Sequence, residues 1–501
     1  MKKSKYMLSP NPIVKYFEKT ADEFTKADLV RYIKDNNIQL INFHYLAQDG
    51  RLKTLNFVIN NLEHLNSILS SGERVDGSSL FSHIQAGESD LYVIPKYRTA
   101  FINPFNETPT IGLMCSFFTK DGIPWESSPE YILHKANIAL KEKTGFDYEV
   151  MGELEFYVIT ESEELFPAYD QKGYHESGPF NKTEDFRTEA MLLIASCGGN
   201  IKYGHSEVGN FILNGKNYEQ NEIEFLPCPV EDAANQLIIA KWIIRKLAYK
   251  YGVTITFAPK ITKGKAGSGL HIHTRLLKGG KNAMVTDGEI NDVARKLISG
   301  YLHYAPSLTA FGNRIPTSYF RLVPNQEAPT NICWGDRNRS ALVRVPLGWT
   351  GKGNMAKIAN SFEPESESDF SFKQTVEFRC PDGSADIYLL LAGLTVAAKD
   401  GLLWENALEF AKKTYIDMNI FDSKNQNRLK SLDVLPDSCH KSALNLENHK
   451  EDYMKDGIFT ADIIDQIICD LKSFNDENLR DEADKNSHIM EPLLSKYFYC
   501  G

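Results

Sequence analysis

Apolar positions fall three to four residues apart in Ala27-Asp-Leu-Val-Arg-Tyr-Ile33, the spacing of one helical face, and predict that a helix starts near Ala27. Short runs of β character follow at Leu40–Tyr45, Thr54–Ile59, Leu91–Ile94 and Thr110–Phe118. Between them, Val75-Asp-Gly-Ser-Ser79 carries turn chemistry. Asp121-Gly-Ile-Pro124 breaks the pattern, and Ser127-Ser-Pro-Glu130 opens a helix with a cap residue and a proline at its first position. The domain boundary is placed there: a polar extension over 1–27, a small domain over 28–124 and a large one over 125–501. Beyond it strands and helices alternate, with long helices expected near 232–251 and 287–303 and a helical region near 461–473. No internal repeat is found, and the acidic Ser-rich stretch Glu363–Asp369 and the Asn/Lys/Ser-rich stretch Asp422–Ser431 read as exposed loops.

The 501 residues favour at least two domains, and 42% hydrophobic with 24% charged residues exclude a disordered, collagen-like or coiled-coil chain. A net charge of −10 argues against nucleic acid as a partner. The longest apolar stretch, Tyr388–Ala398, is too short to span a bilayer, and Pro10 and Pro12 follow the N-terminal lysines with no apolar segment of a secretory signal behind them. The eight cysteines form no Cys-x-x-Cys pair, so a reduced, cytoplasmic location is expected, with no membrane partner.

The chemistry concentrates on strand-like segments. In Val150-Met-Gly-Glu153-Leu-Glu155-Phe156 the period of two puts both glutamates on one face. Two carboxylates about 7 Å apart repel by roughly 2 kcal/mol at an effective dielectric near 20, so a positive group belongs between them. The same device recurs as His271 with His273, Glu377 with Arg379 and Glu222 with Glu224. Four such pairs suggest a polar funnel floored by a sheet. Carboxylates with few imidazoles and no thiolates favour Mg²⁺ or Mn²⁺. Arg321, Arg337, Arg339 and Arg344 form a basic group suited to carboxylate and phosphate, which points to phosphoryl chemistry on an anionic substrate. No Walker-type loop and no protein-kinase signature is present.

These residues resemble the type I glutamine synthetase family over nearly the whole chain from about Asp28. Its landmarks occur in family order: Asp76-Gly-Ser-Ser79, Glu88-Ser-Asp90, Glu153-Leu-Glu155-Phe, His205-Ser-Glu207-Val, Gln220-Asn-Glu222, Gly267-Ser-Gly-Leu-His271-Ile-His273, Arg321-Leu-Val-Pro-Asn-Gln-Glu327-Ala-Pro, Arg337-Asn-Arg339-Ser and Glu377-Phe-Arg379-Cys-Pro-Asp382. The resemblance implies an α+β architecture: a small N-terminal β-grasp domain, then a large catalytic α/β domain whose antiparallel sheet forms the active-site funnel. It also implies a homo-oligomer, a dodecamer of two hexameric rings with active sites between subunits.

By that resemblance, Glu155, Glu207 and Glu222 hold one divalent ion, and Glu153, His271 and Glu377 the other. His273 meets the ATP phosphates, Arg339 and Arg344 the transferring phosphoryl group, and Arg321 and Arg379 the carboxylates of glutamate. Gly267 lines the glutamate pocket through its backbone, and Glu327 lies on a flap that closes the funnel and accepts a proton. Asp76 and Ser79, from the neighbouring subunit, join Tyr174 and Glu207 around ammonium, with Asp76 as the base. The implied reaction is ATP-dependent ligation of ammonia to glutamate through γ-glutamyl phosphate. The rivals are an amine or polyamine ligase of the same superfamily and a non-enzymatic structural relative; the second expects lost metal ligands, yet all six are present.

The chain departs from the family pattern in three places. Asn210–Tyr218 reads as an insertion between Glu207 and Glu222, Ala266 replaces an asparagine before Gly267, and no tyrosine motif for adenylylation stands near Asn419-Ile-Phe421. Glu224 is expected to be a solvated or salt-bridged carboxylate, His205 a core histidine, and Lys260 is given no role.

Overall fold

The alternating runs of the first 120 residues fold into one small sheet. The structure, a computed structural model, describes residues 6–84, 86–323, 328–348, 355–364, 371–418 and 430–501. Glu327, Asn419–Phe421 and most of the loops expected over 363–369 and 422–431 lie outside the described residues. Strands β1 (Leu40–Leu46), β2 (Leu52–Val58), β3 (Glu73–Asp76), β4 (Asp90–Pro95) and β5 (Thr110–Phe118) take the order β2-β1-β5-β4-β3. Only β1 and β5 run parallel; the other pairs are antiparallel. The inward residues Ile41, Phe43, Val93, Ile111, Leu113 and Phe117 meet Leu65 and Leu69 of the helix Leu62–Ser71 in one core.

The first long helix, Lys26–Asp35, starts one residue ahead of Ala27 because Thr25 and Asp28 form a reciprocal capping box. The segment read as an extension contains a short helix, Pro12–Phe17, and its Ile13 and Phe24 are buried in the small core.

A ten-stranded sheet organises the rest. Its main path uses β6 (Asp147–Glu161), β7 (Ile201–Leu213), β8 (Lys216–Phe225), β9 (Leu270–Lys278), β10 (Trp334–Asp336), β11 (Val343–Val345) and β12 (Val376–Phe378), in the order β10-β11-β12-β9-β6-β8-β7. It is antiparallel except for β10 with β11. Val150, Leu154, Phe156 and Val158 of β6 point into the large core, against Leu237 and Ile244 of the helix Val230–Tyr251. Gly152 lets that helix settle: a Cβ there would stand 2.8 Å from a Leu237 methyl.

The helix expected from 287 begins at Asp292, because Val285–Thr286 and Glu289–Ile290 pair as a small hairpin and Asn291 caps the helix behind them. The apolar stretch 388–398 lies in the N-terminal two-thirds of the helix Ile387–Leu403, which is buried in the core. Among the described residues no single helix is long and apolar enough to cross a membrane.

His44 of β1 ties the small domain to the large one. It is 1% exposed, lies 5.6 Å from Phe101 and from Trp242 between ring centroids, and bonds Thr54 at 2.9 Å through Nδ1. Burial lowers its pKa from 6.5 to about 4, so the folded protein holds it neutral while the unfolded chain protonates it. Its stabilising contribution is therefore complete above pH 6.5 and is lost as pH falls toward 4. Between pH 7 and 5 this removes about 2 kcal/mol. Urea unfolding of a His44→Gln variant should show a correspondingly weaker loss over that interval, and a loss equal to that of the unmodified protein would contradict the assignment.

Candidate active site

Strand register builds the site in rows. Glu153 stands opposite Glu224 on β8 and His271 on β9, and Glu155 stands opposite Glu222. His273 faces Glu377, which in turn faces Arg344. Each pair that the period of two placed on one strand face is thus brought beside the next, on the sheet face away from the helices. The result is a funnel of about 910 Å³. Its lining includes Glu153, Glu155, Glu207, Glu222, His271, His273 and Glu377, together with Tyr174, Gly267, Arg321, Arg339, Arg344 and Arg379.

The floor is a chain of ionic contacts. Glu153 takes His273 Nε2 at 2.7 Å on one oxygen and His271 Nδ1 at 2.9 Å on the other. Burial pushes its carboxyl up, but the two imidazoles prevail and hold it well below the usual range. His273 is shifted the opposite way: burial disfavours its charge, and the Glu153 carboxylate, with Glu377 and Glu224, more than restores it. Glu377 meets Arg344 Nη1 at 2.9 Å and Arg379 Nε at 3.0 Å. Glu155 accepts from Gln220 Nε2 at 2.9 Å and from the Gly269 amide at 2.8 Å.

Glu222 has no such compensation. Burial, reinforced by Glu153, Glu155, Glu207 and Glu224, pushes its carboxyl well above the usual range. Its nearest cationic candidate is His205 Nε2 at 3.6 Å, and burial disfavours protonation of that ring.

Glu207 reaches the funnel by a β-bulge. Ser206 pairs with Asn221 and Asn210 with Glu219, so four steps on β7 match two on β8, and Glu207, Val208 and Gly209 loop out between them. A Cβ on Gly209 would collide with the Tyr157 hydroxyl, so the bulge requires glycine there. Gln220 locks it: its Oε1 accepts from Gly209 N at 3.1 Å, while its Nε2 also bonds the Gly267 carbonyl at 3.0 Å. The segment 210–218, expected as an insertion and a loop expansion, is folded as the end of the β7–β8 hairpin, closed by Asn214-Gly215 with both residues at positive φ.

The remaining expected residues are distributed as follows. Arg321 donates to the carbonyls of Cys380 at 2.9 Å and Pro381 at 3.2 Å and lies beside His271. Gly267 is needed because a Cβ would collide with the Pro259 carbonyl and crowd Arg321. Tyr174 is half exposed on the funnel wall and stacks on His175 at 4.2 Å. Asp76 and Ser79 are exposed on the small domain, outside this chain's funnel lining, with both Ser78 and Ser79 hydroxyls donating to Asp76.

Among the funnel residues to which the sequence assigns no role are His205, Gln220 and Lys202. His205 is a funnel residue rather than core, although its place two residues before Glu207 was visible. Gln220 was seen only as part of a motif, and its bonds to Glu155 and Gly209 depend on folding. Lys202 lines the funnel beside Glu224, which is salt-bridged as expected but buried.

The donor set fits hard divalent cations. Glutamate oxygens and three imidazoles, those of His205, His271 and His273, face a common space with no thiolate among the lining residues, and the Glu222 carboxyl there is pushed up by burial and its carboxylate neighbours. Ligand atoms of Glu153, His273 and Glu377 lie within 4.8 Å of one another, as do those of His205, Glu222 and Glu224.

Two family models cover the chain: "Glutamine synthetase, beta-Grasp domain" over residues 37–120 and "Glutamine synthetase, catalytic domain" over 126–488. The chain belongs to the glutamine synthetase family. Among similar members of the family, the glutamine synthetase of Clostridium saccharobutylicum is 30% identical over 429 residues, covering 84% of this chain and 88% of that one. The Thermus thermophilus glutamine synthetase is 31% identical over 391 residues, covering 76% and 80%. In fold, the chain matches a Plasmodium falciparum glutamine synthetase with a TM-score of 0.74 at 20% identity, over 92% of this chain and 98% of that one. A structure titled apo GmaS matches with a TM-score of 0.71 at 19% identity, over 90% and 98%. This family resemblance supports a ligase with a β-grasp domain ahead of the catalytic domain.

Gln220 joins Glu155, the Gly209 bulge and the Gly267 backbone, so Gln220→Leu should weaken Mn²⁺ binding about 10–100-fold without unfolding the protein. Calorimetric titration checks this, and unchanged affinity would contradict it.

Proposed function

We propose that this enzyme joins ammonia to the γ-carboxylate of L-glutamate with cleavage of ATP to ADP and phosphate, giving L-glutamine. The observation that carries this reading is a single funnel with an acidic and imidazole floor under an arginine rim. Glu155, Glu207 and Glu222 would hold one Mg²⁺ or Mn²⁺, and Glu153, His271 and Glu377 another. Bound there, the ions supply neutralisation of the phosphate charge.

In the first step the γ-carboxylate oxygen attacks the γ-phosphorus of ATP and ADP leaves. His273 orients the ATP phosphates, Arg339 and Arg344 meet the moving phosphoryl group, and Arg321 and Arg379 fix the glutamate carboxylates above the Gly267 backbone. In the second step ammonia attacks the acyl carbon of γ-glutamyl phosphate and phosphate leaves. Asp76 and Ser79 of a neighbouring copy, with Tyr174 and Glu207, hold the ammonium ion. Asp76 takes its proton. The Ser78 and Ser79 hydroxyls lower the Asp76 pKa, which keeps it ionised to attract ammonium. Glu327 closes the funnel, excludes water from the acyl phosphate and accepts the proton released after attack.

The same reading divides the chain at 27/28 and 124/125, places it in the cytoplasm and assembles it as a dodecamer of two hexameric rings. An amine ligase is the second reading, favoured by the ring wall in which Tyr174 stacks on His175 and His175 lies 4.4 Å from His205, since aromatic faces suit alkylammonium ions.

Phosphate release from ATP with Mg²⁺ and glutamate, measured with ammonium, methylamine or putrescine, tests the reading. Ammonium should support the fastest turnover; turnover only with an amine would transfer the assignment to the second reading. Asp76→Asn should lower ammonium-dependent turnover by roughly 10²-fold or more while glutamate phosphorylation persists. Equal loss of both would remove Asp76 from the second step.

A further inference from the structure

β7 carries a second bulge. Ile201 pairs with Phe225 and Tyr203 with Glu224, so two steps on β7 match one on β8, and both Lys202 and Tyr203 are delivered to Glu224. Without the bulge, strand alternation would turn one of these side chains to the opposite face. Lys202 Nζ lies 2.6 Å from one Glu224 oxygen, and the Tyr203 hydroxyl donates to the other. The Lys202 ammonium also sits 4.8 Å from the Tyr203 ring centroid. Glu224 itself is 5% exposed and stands opposite Glu153.

The surroundings of Glu224 have the spacing of a cation site. One ligand atom each of His205, Glu222 and Glu224 lie within 4.8 Å of one another. His205 Nδ1 is 3.0 Å from the Ser206 carbonyl; a proton held there leaves Nε2 as an acceptor directed toward Glu222 at 3.6 Å. The position also adjoins Glu222, which the reading above assigns to an ion shared with Glu155 and Glu207.

We infer that Lys202 is a built-in cation: its ammonium takes, on Glu224, the place that a further divalent ion would occupy between His205, Glu222 and Glu224, and so leaves Glu222 to the ion of the active site. Lys202 is thereby a positioning residue that limits the number of ions in the funnel. The inference rests on the metal reading of the funnel but makes a separate prediction about stoichiometry.

The test counts Mn²⁺ bound per chain, by calorimetry and by electron paramagnetic resonance, in the unmodified protein and in Lys202→Met, Lys202→Arg, Glu224→Gln and the Lys202→Met/Glu224→Gln double variant. Lys202→Met should bind one Mn²⁺ more than the unmodified protein. Lys202→Arg, which keeps the charge, Glu224→Gln and the double variant should all bind the unmodified number. An unchanged count in Lys202→Met overturns the inference, as does one ion fewer in Glu224→Gln, which would make Glu224 a native ligand. If the unmodified protein binds Mn²⁺ and Lys202→Met gains none, only this inference fails; if neither binds, the metal reading fails with it.

Discussion

Repulsion among carboxylates held on one face of a sheet is the constraint to which the rest of the site responds. Glu153, Glu155, Glu222, Glu224 and Glu377 come from three different strands, and register leaves none of them room to diverge. Four of the five are answered, each by a different device. Two imidazoles flank Glu153, two guanidinium groups meet Glu377, an amide and a backbone N–H serve Glu155, and a bulged lysine serves Glu224. The Glu222 carboxyl is pushed well above the usual range by burial and the surrounding carboxylates, at the place where the proposed ion would add positive charge.

Such a concentration of charge persists only on a rigid support, because a flexible sheet would relieve the repulsion by splaying. Stiffness comes from the opposite face, where alternate residues of β6 are buried under the helix Val230–Tyr251, and Gly152 allows close seating. Gln220 adds a second brace from within, joining the backbone at Gly209 and Gly267 to the Glu155 carboxylate through one side chain. The fold and the chemistry therefore use opposite faces of the same strands, and the period of two divides hydrophobic support from polar function residue by residue.

That division explains what was legible in the sequence. Glu153 with Glu155 and His271 with His273 are spaced by two on unbulged strands, Glu377 with Arg379 at the end of one, and the structure brings them together as the pattern required. The bulges were hidden, because an extra residue breaks the alternation without leaving a compositional mark. Lys202 therefore carries no signal in the sequence, whereas Asn214-Gly215 is a strong turn signal that marks the hairpin closing 210–218. The helical pattern runs back through Asp287-Gly288, but those residues turn the small hairpin that precedes the helix starting at Asp292. His205 was read as core because periodicity shows which residues share a face but not what that face meets.

The central claim is that Glu222 is held in electrostatic strain that a divalent cation relieves. Thermal denaturation of the unmodified protein and of Glu222→Gln at neutral pH, each with and without Mn²⁺, tests it most directly. Without metal the amide variant should melt at the higher temperature, and with Mn²⁺ the order should reverse as the unmodified protein gains more from the ion. A variant that melts lower without metal, or an equal gain from Mn²⁺ in both proteins, would contradict the account.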